Sequence, residues 1–148
     1  MQRRNRWIVL AGALIAAMFL MVACGQASSS TAKKESPATL EKGDNGINRV
    51  TLTEKAAERL AIQTTQVREE QVGGAQRKVI PYAAVIYDLQ GKTWTYTSPA
   101  RLTFVREAIT VDHIDGDRVV LSEGPATGTE VVTVGVAELY GTDTGIGK

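Results

Sequence analysis

Residues 47–148 predict a mainly β domain, a small antiparallel barrel or sandwich with one short helix near its start. Three observations carry that expectation. Apolar and β-branched runs of strand length recur from Val79 onward. Turn-forming residues punctuate them at short intervals, at residues 88–91, 115–116 and 124–129. A stretch of about 100 residues can bury one core and little more, which favours hairpin-connected strands over a larger architecture.

Taken in chain order, residues 47–52 read as a short strand. Thr53 stands where its hydroxyl can accept a bond from an orphan amide of a helix over residues 54–60. Glu54 near the start of that helix and Arg59 near its end both suit the helix dipole. Two turns do not persist alone in water, so Ala56, Ala57 and Leu60 form the stripe that must dock. Residues 61–67 read as another strand. Residues 68–78 read as a bridge, with Gly73 and Gly74 suited to a plain turn.

Residues 79–87 are apolar and β-branched, and Pro81 confines that end to an edge or a bulge. A hairpin turn at residues 88–91 leads to a half-buried strand in which Trp94 and Tyr96 alternate with Thr93, Thr95 and Thr97. Residues 104–114 predict one longer strand with Val105, Ile109 and Val111 on one face. Asp115 and Gly116 supply a tight turn with positive φ, and residues 118–122 return. A loop over 124–129, a strand over 130–136 and a closing segment over 137–140 complete the domain.

The residues before this domain predict export. Arg3, Arg4 and Arg6 precede an uncharged run from Trp7 to Ala23. Positive residues, a short apolar stretch and small residues at a break form the pattern of a signal peptide over residues 1–23. Met21, Val22, Ala23, Cys24 and Gly25 resemble a lipobox, the site where bacteria attach a diacylglycerol to a cysteine and cleave just before it. The resemblance implies that Cys24 carries the lipid and anchors the chain to the cell membrane or the outer membrane, on its extracytoplasmic side. Cys24 is the only cysteine, so no disulfide can form within the chain. Residues 24–46 read as the lipidated cysteine followed by a polar tether, with Leu40 its only large apolar residue. Removing the signal takes away three arginines and no acid, leaving 14 basic against 16 acidic residues. A net charge of −2 argues against a nucleic-acid partner.

Residues 79–146 resemble the C-terminal, membrane-proximal part of HlyD-type periplasmic adaptor subunits, the membrane fusion proteins of RND efflux transporters. The residues that carry the likeness are Ile80-Pro81-Tyr82-Ala83-Ala84-Val85, Gly91-Lys92-Thr93-Trp94-Thr95-Tyr96, Phe104-Val105-Arg106, Gly116-Asp117-Arg118-Val119-Val120, Ser122-Glu123-Gly124, Gly128-Thr129-Glu130-Val131-Val132 and Ala137-Glu138-Leu139. Residues 50–67 are similar to the segment that precedes the first biotinyl-like domain of many adaptors. That domain, the α-helical hairpin and the central barrel have no counterpart here. The resemblance therefore implies a non-enzymatic, membrane-anchored lipoprotein, an accessory or adaptor-like component of an efflux or export assembly. Its partner would be an inner-membrane transporter or adaptor subunit. A free-standing ligand-binding or structural envelope lipoprotein that keeps only the fold is the alternative.

No catalytic site and no cofactor is expected. His113 is the only histidine, and a transition-metal site needs several converging ligands. Met1, Met18 and Met21 all lie in the signal. Asp112, Asp115 and Asp117 lack the alternate spacing of a calcium loop and read as a solvated hairpin tip. Ser122 beside Glu123 has only His113 as a candidate base. The candidates for a partner surface are Trp94 and Tyr96, because aromatic residues concentrate at interface hot spots, and the sheet edge beside Pro81.

Overall fold

The computed structural model describes residues 36–43 and 45–145. The signal, Cys24 and most of the polar tether lie outside them. The described residues form two antiparallel sheets packed as an open sandwich with two helices and no closed barrel. Among them no helix is long and apolar enough to cross a membrane.

The first sheet has the order β1-β2-β8-β7-β11-β3, with β6 also paired to β7. Its strands are β1 (Ala38–Lys42), β2 (Asn48–Leu52), β3 (Gln63–Gln66), β6 (Ile86–Tyr87), β7 (Thr93–Ala100), β8 (Thr103–Ala108) and β11 (Glu130–Val134). The second sheet has the order β4-β5-β10-β9, built from β4 (Arg68–Val72), β5 (Ala75–Pro81), β9 (Thr110–Asp115) and β10 (Arg118–Glu123). Helix α1 (Glu54–Arg59) follows β2, and helix α2 (Val136–Thr144) follows β11.

Alternation along the strands sorts the apolar residues into two cores. One gathers Val50, Leu52, Tyr96, Phe104 and Val132 from the first sheet with Ala56 of α1 and Leu139 of α2. The other gathers Ile80, Val119 and Leu121 from the second sheet with Val67, Ala84, Ile109 and Val131. Val131 and Val132 are neighbours on β11 and enter different cores, because successive side chains of a strand point to opposite faces. Helices therefore cover one face of the first sheet, and the second sheet covers the other.

Several local expectations meet the structure directly. Thr53 caps α1, its hydroxyl accepting from the amide of Ala56 at 3.2 Å. The Asp115–Gly116 turn joins β9 to β10, and Gly116 has a φ of 63°. Other expectations are corrected. The tether does not run to residue 46: residues 38–42 form β1, which pairs with β2 along all five residues. Leu40 stays 41% exposed, and only Ala38 packs against a core. Main-chain pairing holds this strand, assisted by the Thr53 amide donating to the Pro37 carbonyl, so side-chain composition carries little trace of it.

The bridge over residues 68–78 is a hairpin, β4 and β5 in register from Arg68↔Val79 to Val72↔Ala75 around Gly73 and Gly74. The long strand over residues 104–114 is two strands in different sheets, β8 and β9, and Ile109 between them fills the second core. Pro81 ends β5, an interior strand between β4 and β10, but it lies beyond the last rung shared with β4 and pairs only with Arg118 of β10, so the strand is locally unpaired on the side of its missing N–H. The closing segment is helix α2. It contains Gly141, Thr142 and Thr144, weak helix formers, and is stabilised by docking Leu139 and Asp143. Strand β7 is buried on both faces rather than one, since Thr95 and Thr97 are buried along with Tyr96.

The end of α1 shows a local strain. The amide of Ile62 donates to Ala57 and that of Ala61 to Glu58, the pair of bonds that closes a helix through a left-handed residue. That residue is Ala61, with φ 49°. Gly135, at φ 83°, packs here too, and a Cβ on it would lie 2.3 Å from Ile62 Cδ1 and 3.1 Å from the Leu60 carbonyl oxygen. Ala61→Gly is expected to raise stability by about 0.5–1 kcal/mol, the left-handed cost of a Cβ less the extra freedom of glycine in the unfolded chain. Gly135→Ala is expected to lower it by about 2 kcal/mol or more. Urea unfolding of the two variants beside wild type checks both signs.

Candidate functional site

The polar centre of the domain is a carboxylate in the last turn of α2. Asp143 is 4% exposed. Its Oδ2 accepts from the Tyr96 hydroxyl at 2.7 Å, and its Oδ1 accepts from Asn48 Nδ2 at 3.0 Å. The same Nδ2 reaches the Asp143 carbonyl at 3.0 Å. Arg106 Nε lies 3.4 Å from Oδ2, an ionic contact without hydrogen-bond alignment, and Nε is buried with no other partner among the described residues. Residues from β2, β7 and β8 thus converge on one side chain of α2.

Register explains the convergence. Tyr96 of β7 stands directly opposite Arg106 of β8, so both side chains leave the same face, the one α2 covers. Two residues earlier on β7, Trp94 leaves that face as well. The Arg106 guanidinium carbon stands 4.7 Å from the centroid of the Trp94 ring and 5.6 Å from that of Tyr140 on α2. These are cation–π distances. Trp94 is held in turn by its indole N–H, which donates to Asp88 Oδ2 at 2.9 Å. Asp88 Oδ1 accepts from the amides of Gln90 and Lys92, each at 2.9 Å, which ties the ring to the β6–β7 turn. The Trp94 bond is the main reason that the Asp88 carboxyl sits below its ordinary range.

Burial, and then the bond to Asp143, push the Tyr96 phenol well above its ordinary value. Burial likewise raises Glu107, which stands opposite Thr95 on the other face of the sheet, with Lys78 opposing the shift. Thr95 Oγ1 is buried there and has no partner among the described residues.

Of the expected partner residues, Tyr96 is corrected. It is 0% exposed, so it cannot touch a partner and instead positions Asp143. Trp94 is half-buried and belongs to the arginine cluster. Pro81 ends a strand of the other sheet and is not brought to that cluster. Cys24 lies outside the described residues. His113 Nδ1 lies 3.1 Å from Asp112 Oδ2, both exposed. Asp115 pairs with Arg118, which also donates to Glu70 at 2.7 Å. The Ser122 hydroxyl donates to the Thr110 carbonyl at 3.2 Å. Among the described residues no three carboxylate, histidine or cysteine side chains are grouped to hold a metal.

Arg106, Tyr140, Asn48 and Asp143 escape sequence reasoning. The signal that could reveal Arg106 is the β7–β8 register, which requires placing the turn at Arg101 and Leu102. A shallow cleft of about 270 Å³ opens beside that turn, lined by Glu54, Glu58, Ile62 and Arg101 among others, but Arg101 and Glu54 already pair across it. Comparison of the chain with protein-family models, with curated proteins and with solved structures finds no match.

Tyr96→Phe is expected to cost about 1–3 kcal/mol at neutral pH, because Asp143 loses a charge-assisted bond while remaining buried. A raised phenol contributes stability that is present below the ordinary tyrosine value of about 10 and is lost as pH climbs above it. The stability gap between wild type and Tyr96→Phe should therefore narrow above that pH. Denaturant midpoints of both proteins between neutral and strongly alkaline pH measure it.

Proposed function

We propose that this chain is a non-enzymatic lipoprotein, anchored at Cys24, that serves as an accessory or adaptor-like component of an efflux or export transporter assembly. The observation that carries the reading is the half-buried stack of Trp94, Arg106 and Tyr140 beside a rigid, buried support. Tryptophan, tyrosine and arginine are the residues in which interface energy concentrates, and a side chain fixed before binding loses little entropy on contact. The sequence likeness to adaptor membrane-proximal regions supplies the class of partner, an inner-membrane transporter or adaptor subunit.

The exposed strands suit docking by a defined patch rather than by strand addition. Glu69 and Glu70 on β4, and Asp112 and Asp115 on β9, place charges along both edges of the second sheet, which discourages edge pairing. Two acyl chains hold a protein firmly at a bilayer, where one gives marginal binding, so the lipid would set where the patch meets its partner.

Two measurements test the reading. A photo-crosslinking amino acid in place of Leu89, which is 84% exposed beside the Asp88 turn, should join the protein in intact cells to a transporter or adaptor subunit. Recovery of no such subunit, with a small molecule retained through gentle purification, would favour the free-standing ligand-binding alternative. Cys24→Ser should leave the fold intact and abolish lipid modification. A processed, lipidated, membrane-bound mutant would contradict the anchor.

A further inference from the structure

We propose that Arg106 is a carboxylate-binding site, filled by an acidic side chain of the protein that this domain docks against. The inference rests on the docking reading and names the chemistry of its contact. A guanidinium carries five N–H donors and no acceptor. Arg106 has a side chain only 17% exposed, yet it makes no hydrogen bond to any described residue, and its Nε is buried without a hydrogen-bonded partner. Of its nitrogens only Nε is buried without a hydrogen bond, and that atom lies 3.4 Å from Asp143, so the donors left open to a partner are the two Nη groups.

The position of the group suggests what completes it. Trp94 and Tyr140 lie within cation–π range of the guanidinium, and Asp88 fixes Trp94. A stacked guanidinium offers its edge, and an edge of paired donors matches a planar carboxylate through two parallel bonds. Asp143 already offsets the guanidinium charge, so an added carboxylate is held by the hydrogen bonds of the fork and not by net charge, and a doubly charged phosphate is disfavoured further.

The full chain, isotope-labelled and held in neutral detergent, should be titrated with sodium acetate while the Arg106 Nε–H and Trp94 indole N–H signals are followed by NMR. Parallel titrations use inorganic phosphate, and sodium chloride at matched ionic strength. Saturable shifts at both signals with acetate, absent with chloride, are expected. Arg106→Lys keeps the charge but loses the fork, and should weaken acetate binding by about tenfold. Tyr140→Leu, which removes one stacking ring, is the second variant and should weaken it severalfold. Shifts that follow ionic strength alone, binding unchanged in both variants, or tighter binding of phosphate than of acetate would each overturn the assignment. Acetate binding without transporter crosslinks would keep the site and remove the docking reading. Transporter crosslinks equally strong in wild type and Arg106→Lys, with no acetate response, would do the reverse.

Discussion

Asp143 is placed where a helix least favours it. The last turn of α2 presents unpaired carbonyls, and the dipole there opposes a negative charge. Burying that carboxylate is tolerable only because Asn48, Tyr96 and Arg106 meet it from three adjacent strands. Removing a partner would leave a buried charge under-compensated, a far larger cost than losing an exposed ion pair. The interaction therefore fixes where α2 lies. With α2 fixed, Leu139 seals the core against Tyr96 and Phe104, and Tyr140 comes within reach of Arg106. The surface proposed for docking is the outer rim of the same cluster that closes the fold.

Covering both faces of the first sheet imposes a second constraint. Strands β7 and β11 sit between helices on one side and the second sheet on the other, so polar side chains on them are enclosed. The Thr97 hydroxyl donates to the Val105 carbonyl and that of Thr93 to the Ile109 carbonyl, whereas Thr95 Oγ1 has no partner among the described residues. Trp94, at the end of β7 nearest the Asp88 turn, is where this burial thins and the chain meets solvent. An interface residue there inherits the rigidity of the core without being lost inside it.

The parts of the fold legible in the sequence are those governed by near neighbours. Thr53 before an amphipathic turn, and Asp115-Gly116 between two apolar runs, act within a few residues, and both behave as their local chemistry requires. Strand β1 escapes because its stability lies in main-chain bonds to β2, with Leu40 left in water. The break between β8 and β9 escapes because Val105, Ile109 and Val111 keep a strand-like alternation straight through it. Only the passage from one sheet to the other reveals that two strands are present. Tyr96 carried the right signal for the wrong reason. Its aromatic character suggested a surface, whereas its hydroxyl serves a buried acid forty-seven residues away.

By itself the sequence determined the antiparallel β class, the short capped helix, and the hairpin turns at residues 88–91 and 115–116. Each depends on residue type and short-range spacing. The tertiary structure decided that Arg106 and Asp143 belong together, that α2 is a helix, and that the tryptophan rather than the tyrosine faces outward. Those facts depend on which strands pair and in what register. A register is set by the summed packing of two cores, and no short window of the chain contains it.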